Sequence, residues 1–333
     1  MRRGHTGGVR ITVLAGGIGA ARFLRGLLAH SPDAEVTVIG NTGDDLTLYG
    51  LRVSPDLDTV MYTLGGGNDE ARGWGRADES WNALEEIRAY DSVPSWFGLG
   101  DRDIGTHLVR TAMLAEGRTL SEATAALTAR WRLPVRLIPM TDDRVETHVV
   151  VEDPDSPDGR RRLHFQEYWV RHHASLPVVT VDVEGVGEAT PAPGVLEAIT
   201  GADLLLLPPS NPVVSVGPIL SVPGVRDAVR SASAPVVGLS PIVGGAPVRG
   251  MADKLLPSIG VDTSAAGVAL HFGARGDGGL LDGWLVDERD AESVGRIREA
   301  GIAARAVPLM MTDVATTAAM AGVALELAEE VRR

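Results

Sequence analysis

The sequence contains no cysteine among its 333 residues. Without thiols the chain cannot form disulfides, thiolate zinc sites, iron–sulfur clusters or a cysteine nucleophile, so any metal needs oxygen or imidazole ligands. Basic residues are also scarce, because 31 Lys and Arg stand against 44 Asp and Glu and give a net charge of −13. Such a surface repels nucleic acid, and we expect no nucleic-acid partner.

Long apolar runs are missing as well. The basic residues 1–3 are followed by a polar, glycine-containing stretch at 4–8, where a secretion signal requires an apolar run. No segment approaches the roughly 20 apolar residues of a membrane-spanning helix. We therefore expect a cytoplasmic protein without a membrane partner. What the chain does contain, 44% hydrophobic residues and 40 glycines, is typical of a globular protein with many turns.

Short apolar runs that end in polar or glycine-rich loops predict an α/β fold. Residues 9–15 are expected to form a strand, 20–29 a helix and 35–40 a second strand. Further strands are expected at 204–207, 236–239 and 284–286. Strands that alternate with helices form a Rossmann-like parallel sheet flanked by helices.

The middle of the chain predicts an inserted, smaller cap of helices and a β-hairpin. The expected helices are 80–90, 104–115 and 121–131, and the expected hairpin pairs 147–151 with 161–165 around a turn rich in Asp and Pro. We expect 1–65 and 175–333 to form the Rossmann-like nucleotide-binding domain, and 66–174 to form the substrate cap.

A glycine loop connects the first strand to the first helix. Gly16, Gly17 and Gly19 allow the backbone to approach a phosphate, and the N–H groups that open the helix point toward the anion. Arg22 stands where the dinucleotide fingerprint has its third glycine, and no P-loop lysine follows. The loop therefore predicts a phosphate site, with an NAD-dependent oxidoreductase as one alternative.

Aspartates follow the second strand and open the next predicted helix. Asp44 and Asp56 are interpreted as turn and N-cap residues, which complement the helix dipole. Asp45 and Asp58 are interpreted as functional, because an acidic protein that binds phosphate needs a cation. Mg²⁺ is commonly held by one or two carboxylates together with phosphate oxygens.

Other groups of residues have both a functional and a structural interpretation. His107 and Arg110 lie three residues apart on one helix face, where both could contact a ligand anion. The loops at 208–217 and 240–245 either contact a nucleotide through Ser and Asn or form proline-stiffened turns. The aromatic cluster at 164–169 either packs in the core or contacts a flat heteroaromatic substrate.

Six motifs, in this order, resemble one known family. They are LAGGIG at 14–19, SPDLDTV at 54–60, LGDRD at 99–103, PMTDD at 139–143, HFQ at 164–166 and PSNP at 209–212. Over nearly its whole length the chain is similar to the 2-phospho-L-lactate (phosphoenolpyruvate) transferases of coenzyme F420 biosynthesis. The resemblance implies an Mg²⁺-dependent transferase that moves a phospho-acid from a guanylylated donor to the ribityl hydroxyl of the deazaflavin Fo and releases GMP. It also implies a homodimer.

The resemblance assigns roles to individual residues. Nucleotide binding is expected at Gly16, Gly17, Gly19, Ser210, Asn211, Pro212, Ser215, Ser240, Gly244 and Lys254. Fo binding is expected at Asp58, Gly98, Asp101, His107 and Trp169. Catalysis is expected from Asp45, Asp58 and Arg102, with Asp45 and Asp58 as the Mg²⁺ ligands. Asp142 and Asp143 fall in a family motif without an assigned role.

The resemblance leaves the donor and one rival function open. Residues 61–75 resemble the actinobacterial branch, whose donor carries an enolpyruvyl group, and a lactyl donor is the alternative. Archaeal members carry Lys at the position of Gly98, so this chain lacks a cationic contact there. A related branch of the superfold resembles sugar-nucleotide-binding regulators, which makes a non-catalytic regulator the alternative of another class.

Overall fold

The computed structural model describes residues 8–90 and 96–332, and its strands and helices follow the α/β pattern. The strands are β1 (Arg10–Ala15), β2 (Glu35–Gly40), β3 (Leu46–Leu48), β4 (Leu51–Val53), β5 (Arg136–Pro139), β6 (Glu146–Glu152), β7 (Arg160–His164), β8 (Val178–Glu184), β9 (Leu204–Leu207), β10 (Val236–Leu239), β11 (Ile242–Val243), β12 (Ala246–Pro247), β13 (Gly283–Val286) and β14 (Ala303–Ala306). The helices are α1 (Gly17–His30), α2 (Pro55–Leu64), α3 (Asn82–Arg88), α4 (Asp101–Ala115), α5 (Leu120–Trp131), α6 (Val195–Thr200), α7 (Gly217–Ser221), α8 (Val225–Ser231), α9 (Ala252–Leu255), α10 (Ala265–Phe272), α11 (Ser293–Glu299) and α12 (Val314–Glu330).

Seven parallel strands form the central sheet, in the order β14-β13-β10-β9-β1-β2-β5. The chain leaves β1 toward β2 on one side and later returns to pair β9 on the other. The strand order therefore reverses next to β1. In open parallel sheets, ligands bind beyond the carboxyl ends of the strands at such a reversal.

Helices cover both faces of this sheet, which explains why its inner strands are apolar throughout. In β9, Leu204 and Leu206 pack with α1 and α12, whereas Leu205 and Leu207 pack on the opposite face with α6 and α10. Side chains alternate between the faces of a strand, so a strand buried on both sides has no polar face. The predicted Rossmann-like parallel sheet is confirmed.

The three helices predicted for the cap are seen as α3, α4 and α5, and the predicted hairpin as β6 and β7. Of these, α5 packs in the core of the large domain, where Leu120 and Leu127 share a cluster with residues of α1 and α2. A third strand, β8, pairs with β6, so the cap sheet has three antiparallel strands. Two strands do not follow the expected extent of the cap, residues 66–174. β5 lies inside that range but pairs with β2 in the large sheet, and β8 lies beyond it. The chain thus returns to the large sheet between the cap helices and the cap strands.

The C-terminal helix α12 packs along α1. The contact is close at Gly26, where an added Cβ would meet the backbone and side chain of Thr317. The glycine loop lies at the start of α1, and Gly26 lies in the second half of the same helix. The contact with α12 therefore holds α1 in place, and through it the glycine loop. Within 8–90 and 96–332, no helix is long and apolar enough to cross a membrane.

Candidate active site at the ends of the strands

A cavity of about 870 Å³ lies at the carboxyl ends of the central strands, under the cap. Loops that follow β1, β2, β9 and β10 form its floor, and residues of the cap, such as Trp169, form its roof. Most of the residues assigned above line this cavity. The volume suits a ligand larger than one nucleotide, since drug-sized pockets span roughly 300–1,000 Å³.

The glycine loop lies on the cavity wall, as predicted. Gly17 has φ of +70°, a conformation that favours glycine. An added Cβ at Gly19 would overlap the carbonyl oxygen of Pro209, and one at Gly16 would overlap Ser215. Glycine is therefore required by the tight packing of the β9 loop as well as by access to a ligand.

Serine and asparagine residues of the loops after β9 and β10 also line the cavity. Several of their hydroxyl and amide groups, however, form hydrogen bonds with other groups of the protein. Ser210 Oγ donates a hydrogen bond to the Gly16 carbonyl at 2.9 Å. Asn211 Oδ1 accepts from the Val213 N–H at 2.9 Å, and so caps the turn Pro212–Val216. Ser240 Oγ donates to the Ile242 carbonyl at 2.7 Å. These side chains shape the loops that present the cavity wall.

Three residues expected to bind nucleotide do not line the cavity. Pro212 is buried at the start of its turn. The Gly244 N–H donates to Asp290 at 2.9 Å. Lys254 is exposed and pairs with Asp253 at 3.3 Å. All three follow cavity-lining loops in sequence, but the local turn directs them elsewhere.

Two carboxylates, Asp44 and Asp56, meet at the cavity floor. Both are buried, with 4% and 7% of their surface exposed, and both line the cavity. Burial raises the pKa of Asp56 to about 6. Burial, followed by the charge of Asp56, raises the pKa of Asp44 well above its usual range. Such a pair attracts a cation or retains a proton.

Asp44 lies in the turn of residues 42–45, as expected, but Asp56 is not an N-cap residue, and both side chains make contacts beyond their local turns. Asp44 accepts a hydrogen bond from Gln166 of the cap at 3.3 Å. Asp56 accepts from Asn41, at the end of β2, at 2.8 Å. Ser54 occupies the N-cap position of α2, so Asp56 lies within the first turn and faces the ligand space. Asp44 Oδ1 is buried without a hydrogen-bond partner among the described residues.

Asp45 lies behind the cavity floor. Its side chain is completely buried and accepts a hydrogen bond from Ser54 Oγ at 2.7 Å, with Arg52 at 3.4 Å. Burial raises its pKa to about 7, although Arg52 opposes the shift. Because Asp45 does not line the cavity, the two expected Mg²⁺ ligands do not face one ligand space together.

Asp58 does line the cavity, and Arg110 holds it in place. The guanidinium of Arg110 donates to both carboxylate oxygens, with the Nη1 to Oδ2 distance at 3.1 Å. Arg110 itself is 1% exposed and does not line the cavity. The expectation that Arg110 contacts a ligand anion is therefore wrong, because its charge is already neutralised by Asp58.

His107 continues this buried network toward the cap. Its Nδ1 lies 3.2 Å from Arg110 Nη1, and its Nε2 lies 3.4 Å from Asp103 Oδ1. Tyr62 donates its hydroxyl to the same Asp103 oxygen at 2.6 Å. Burial raises the pKa of Asp103, but the contacts with His107 and Tyr62 and the charge of Arg110 together outweigh burial, so the net shift is downward. Asp58, Tyr62, Asp103 and His107 all line the cavity.

Asp101 and Arg102 do not line the cavity. Asp101 accepts hydrogen bonds from Ser80 Oγ at 2.6 Å and from the Ala83 N–H at 2.9 Å, which fixes the start of α3. The bond from Ser80, followed by that from Ala83, lowers the pKa of Asp101 to about 2. Arg102 is half-exposed and lies 4.0 Å from Asp78. The geometry gives neither side chain a direct contact with a ligand in this cavity.

Asp142 and Asp143, whose role the motif did not reveal, bind loops together. Asp142 accepts from the Ser121 N–H at 2.6 Å, near the start of α5. Asp143 accepts from the N–H and hydroxyl of Thr190, at 2.7 and 2.9 Å. These bonds anchor the connection between β5 and β6.

Aromatic side chains form the cap side of the cavity. Trp74, Phe97, Phe165 and Trp169 line it together with Gly98. Trp169 is 37% exposed and Trp74 is 44% exposed, which is unusual for large apolar side chains. These surfaces suit a flat ring system. By contrast, Tyr168 of the same cluster is buried in the core.

Two arginines that the motifs did not assign, Arg22 and Arg249, also line the cavity. Arg22 lies on the same face of α1 as Ile18 and Gly19. Its departure from the dinucleotide fingerprint was the only sequence signal for a special role.

A protein-only metal site is absent from the described residues, since no group of three or more His, Asp or Glu there can hold an ion. Two carboxylates with an unpartnered oxygen still fit Mg²⁺, which takes the rest of its ligands from phosphate and water. Asp44 and Asp56 are the pair that fits.

Comparison with known proteins identifies close relatives. Residues 11–321 match the family model described as 2-phospho-L-lactate transferase CofD. A phosphoenolpyruvate transferase of Streptomyces coelicolor is 64% identical, over 97% of this chain and 99% of its own. Proteins of the same name from Thermobifida fusca, at 60%, and Mycobacterium sp. strain JLS, at 52%, also cover 99% of their own length and 97% and 96% of this chain.

Among solved structures, a UPF0052-family protein from Bacillus halodurans has the same fold. It superposes with a TM-score of 0.64 at 17% identity, over 97% of this chain and 100% of its own. At this identity the similarity concerns the fold alone.

Proposed function

We propose, since the chain belongs to the 2-phospho-L-lactate transferase CofD family, that it transfers a phosphoenolpyruvyl group from enolpyruvyl-diphospho-5'-guanosine to Fo. Fo is 7,8-didemethyl-8-hydroxy-5-deazariboflavin, and the products are dehydro coenzyme F420-0 and GMP. Family membership makes the chain a transferase. The enolpyruvyl donor is favoured over the lactyl one because the relatives reported above are named phosphoenolpyruvate transferase.

One observation carries the proposal. The Asp44–Asp56 pair and the glycine loop face the same cavity, which also has exposed aromatic walls. A phosphate site and a flat-ring site in one space of about 870 Å³ suit a transfer between a nucleotide and a deazaflavin.

We assign the Mg²⁺ ligands to Asp44 and Asp56 in place of Asp45 and Asp58. Among the described residues Asp44 and Asp45 each have an Oδ1 without a hydrogen-bond partner, and of the two only Asp44 lines the cavity, which supports this assignment. When bound, the ion would neutralise charge on the diphosphate of the donor. Asp45 then has a supporting role outside the cavity, since its contacts with Ser54 and Arg52 connect the loop after β2 to the start of α2.

Asp58 orients the acceptor in this proposal. The ribityl hydroxyl donates a hydrogen bond to the Asp58 carboxylate while its oxygen attacks the phosphorus that carries the three-carbon acid. The bond from that phosphorus to the bridging oxygen breaks, GMP leaves with the oxygen, and the hydroxyl proton passes to the carboxylate or to water. Arg110 keeps the carboxylate in position throughout.

The transfer itself is the test. Purified enzyme is incubated with Fo, Mg²⁺ and either the enolpyruvyl or the lactyl donor, and the product is weighed by mass spectrometry. We expect the product that is lighter by two hydrogens, which identifies the enolpyruvyl group. No product from either donor would refute the function, and normal turnover by Asp58→Asn would refute the role of Asp58.

A further inference from the structure

The cavity contains more negative than positive charge, although its proposed substrate is an anion. Four carboxylates line it, those of Asp44, Asp56, Asp58 and Asp103, against two guanidinium groups. Arg22 and Arg249 are those two cations. They come from separate elements, α1 and the loop between β12 and α9, and are near enough for their charges to interact.

Neither arginine is neutralised by a carboxylate. In the described parts of the chain no Asp or Glu oxygen lies within 4.0 Å of either side chain, in contrast to Arg25 on the same helix, which pairs with Glu70 at 2.6 Å. Burial, followed by the nearby charge of Arg22, lowers the pKa of Arg249. Two like charges held this close are stabilised when an anion binds between them.

Arg249 is also held in a fixed direction. Its Nη2 donates to the Arg72 carbonyl at 2.8 Å, and its guanidinium packs against Gly73, where a Cβ would collide with it. Arg72 stacks on Trp74 and Trp81, with 5.3 and 5.0 Å from its Cζ to the ring centroids. The loop that contains Arg72 and Gly73 therefore fixes the position of Arg249 in the cavity.

The position of Arg22 separates it from the phosphate site. It lies four residues after Ile18 on α1, which is about 6 Å along the helix axis. The start of α1 and the Asp44–Asp56 pair account for the diphosphate of the donor. The guanosine end carries no further charge, so the carboxylate of the three-carbon acid is the one anionic group left without a partner.

We propose that Arg22 and Arg249 form a clamp for this carboxylate, and so hold the acid end of the donor. The inference rests on the proposed function, because it takes the donor from there. A planar guanidinium pairs with a carboxylate through two parallel hydrogen bonds, and two arginines can bind it from two sides.

The test compares the donor, which carries the three-carbon acid, with GDP, which lacks it. Titration calorimetry measures the Kd of the guanylylated phospho-acid donor and of GDP, with Mg²⁺ and without Fo, for wild type, Arg22→Ala and Arg249→Ala. We expect wild type to bind the donor more tightly than it binds GDP. In each variant we expect the Kd for the donor to rise about 10- to 100-fold. GDP affinity should stay within about twofold of wild type, as for a contact made outside the diphosphate.

Arg25→Ala is the matched control, because it removes an arginine of the same helix that does not line this cavity. Arg22→Lys should bind the donor with intermediate affinity, since it keeps the charge and loses the paired hydrogen bonds. Equal weakening of GDP and donor, or equal binding of both by wild type, would overturn the clamp. Donor binding needs no turnover, so a wild type that binds donor but forms no product refutes the proposed function and not the clamp.

Discussion

At the scale of single residues, the Asp58–Arg110 ion pair is the feature of the site on which the stability of the fold should depend most. Both side chains are buried, and their charges are matched within the protein. We predict that Arg110→Met lowers the free energy of unfolding by about 3–5 kcal/mol, because it leaves a buried carboxylate without its cation. Urea-induced unfolding measures the change.

The double variant Asp58→Asn/Arg110→Met is the control for this prediction. It removes both charges, so it should be more stable than Arg110→Met alone. Equal stability of the single and double variants would mean that the pair is not coupled.

Asp101 has a separate consequence for pH dependence. Its hydrogen bonds lower its pKa from 3.8 to about 2, so the folded state releases the proton more readily than the unfolded state. Its contribution to stability is therefore complete above about pH 4 and is lost as the pH falls through about 2. We predict that wild type is more stable than Asp101→Asn at pH 6 and that the difference shrinks toward pH 2.5. Unfolding curves at both pH values test this, and a constant difference would contradict it.

The sequence predicted Asp45 and Asp58 as the metal ligands, whereas our proposal pairs Asp44 with Asp56. Asp44 and Asp45 are neighbours in the loop after β2, and of the two only Asp44 lines the cavity. Which of the two faces the cavity depends on the exit angle of the strand, which composition does not specify. The partner of Asp58 was equally hidden, since Arg110 lies 52 residues away.

At the scale of elements, the junction of α1 with the β9 loop sets the shape of the phosphate wall. An added Cβ at Gly19 would overlap the Pro209 carbonyl, and the backbone of either loop would have to move. We predict that Gly19→Ala destabilises the protein by about 1–3 kcal/mol and weakens GDP binding. Thermal unfolding and calorimetry measure the two effects.

Gly105→Ala in α4 is the matched control, because it is also a helical glycine and an added Cβ meets nothing within 4 Å. It should stabilise the protein by about 0.5–1 kcal/mol through the helix preference for alanine. A Gly19→Ala variant that behaved like this control would show that the close junction is unimportant.

Sequence patterns predicted the elements with strong apolar periodicity and missed those without it. β9 and β10 consist of four buried residues each, and their ranges were predicted as observed. β14 has the sequence AARA and α12 is rich in alanine, so neither gives a clear period. β8 is an exception, since its sequence VVTVDVE alternates apolar and polar residues from Val179 to Glu184, but its pairing with β6 across the cap could not be inferred from local pattern.

At the scale of the whole molecule, the site combines segments that lie far apart in the chain. The floor comes from the loops after β1, β2, β9 and β10, while the cap provides Gln166 and Trp169. Gln166 reaches down to Asp44, so cap and floor meet at the proposed metal pair. In the proposed function, this one space holds a cation, a nucleotide and a flat acceptor, despite the net charge of −13.

The central claim is that Asp44 and Asp56, and not Asp45, present the metal to the nucleotide. The most direct measurement is GDP binding by calorimetry with and without Mg²⁺, for wild type, Asp44→Asn, Asp56→Asn and Asp45→Asn. We predict that Mg²⁺ strengthens GDP binding in wild type and Asp45→Asn, and has no effect in the other two variants. Loss of the Mg²⁺ effect in Asp45→Asn, with its retention in Asp44→Asn, would contradict the account.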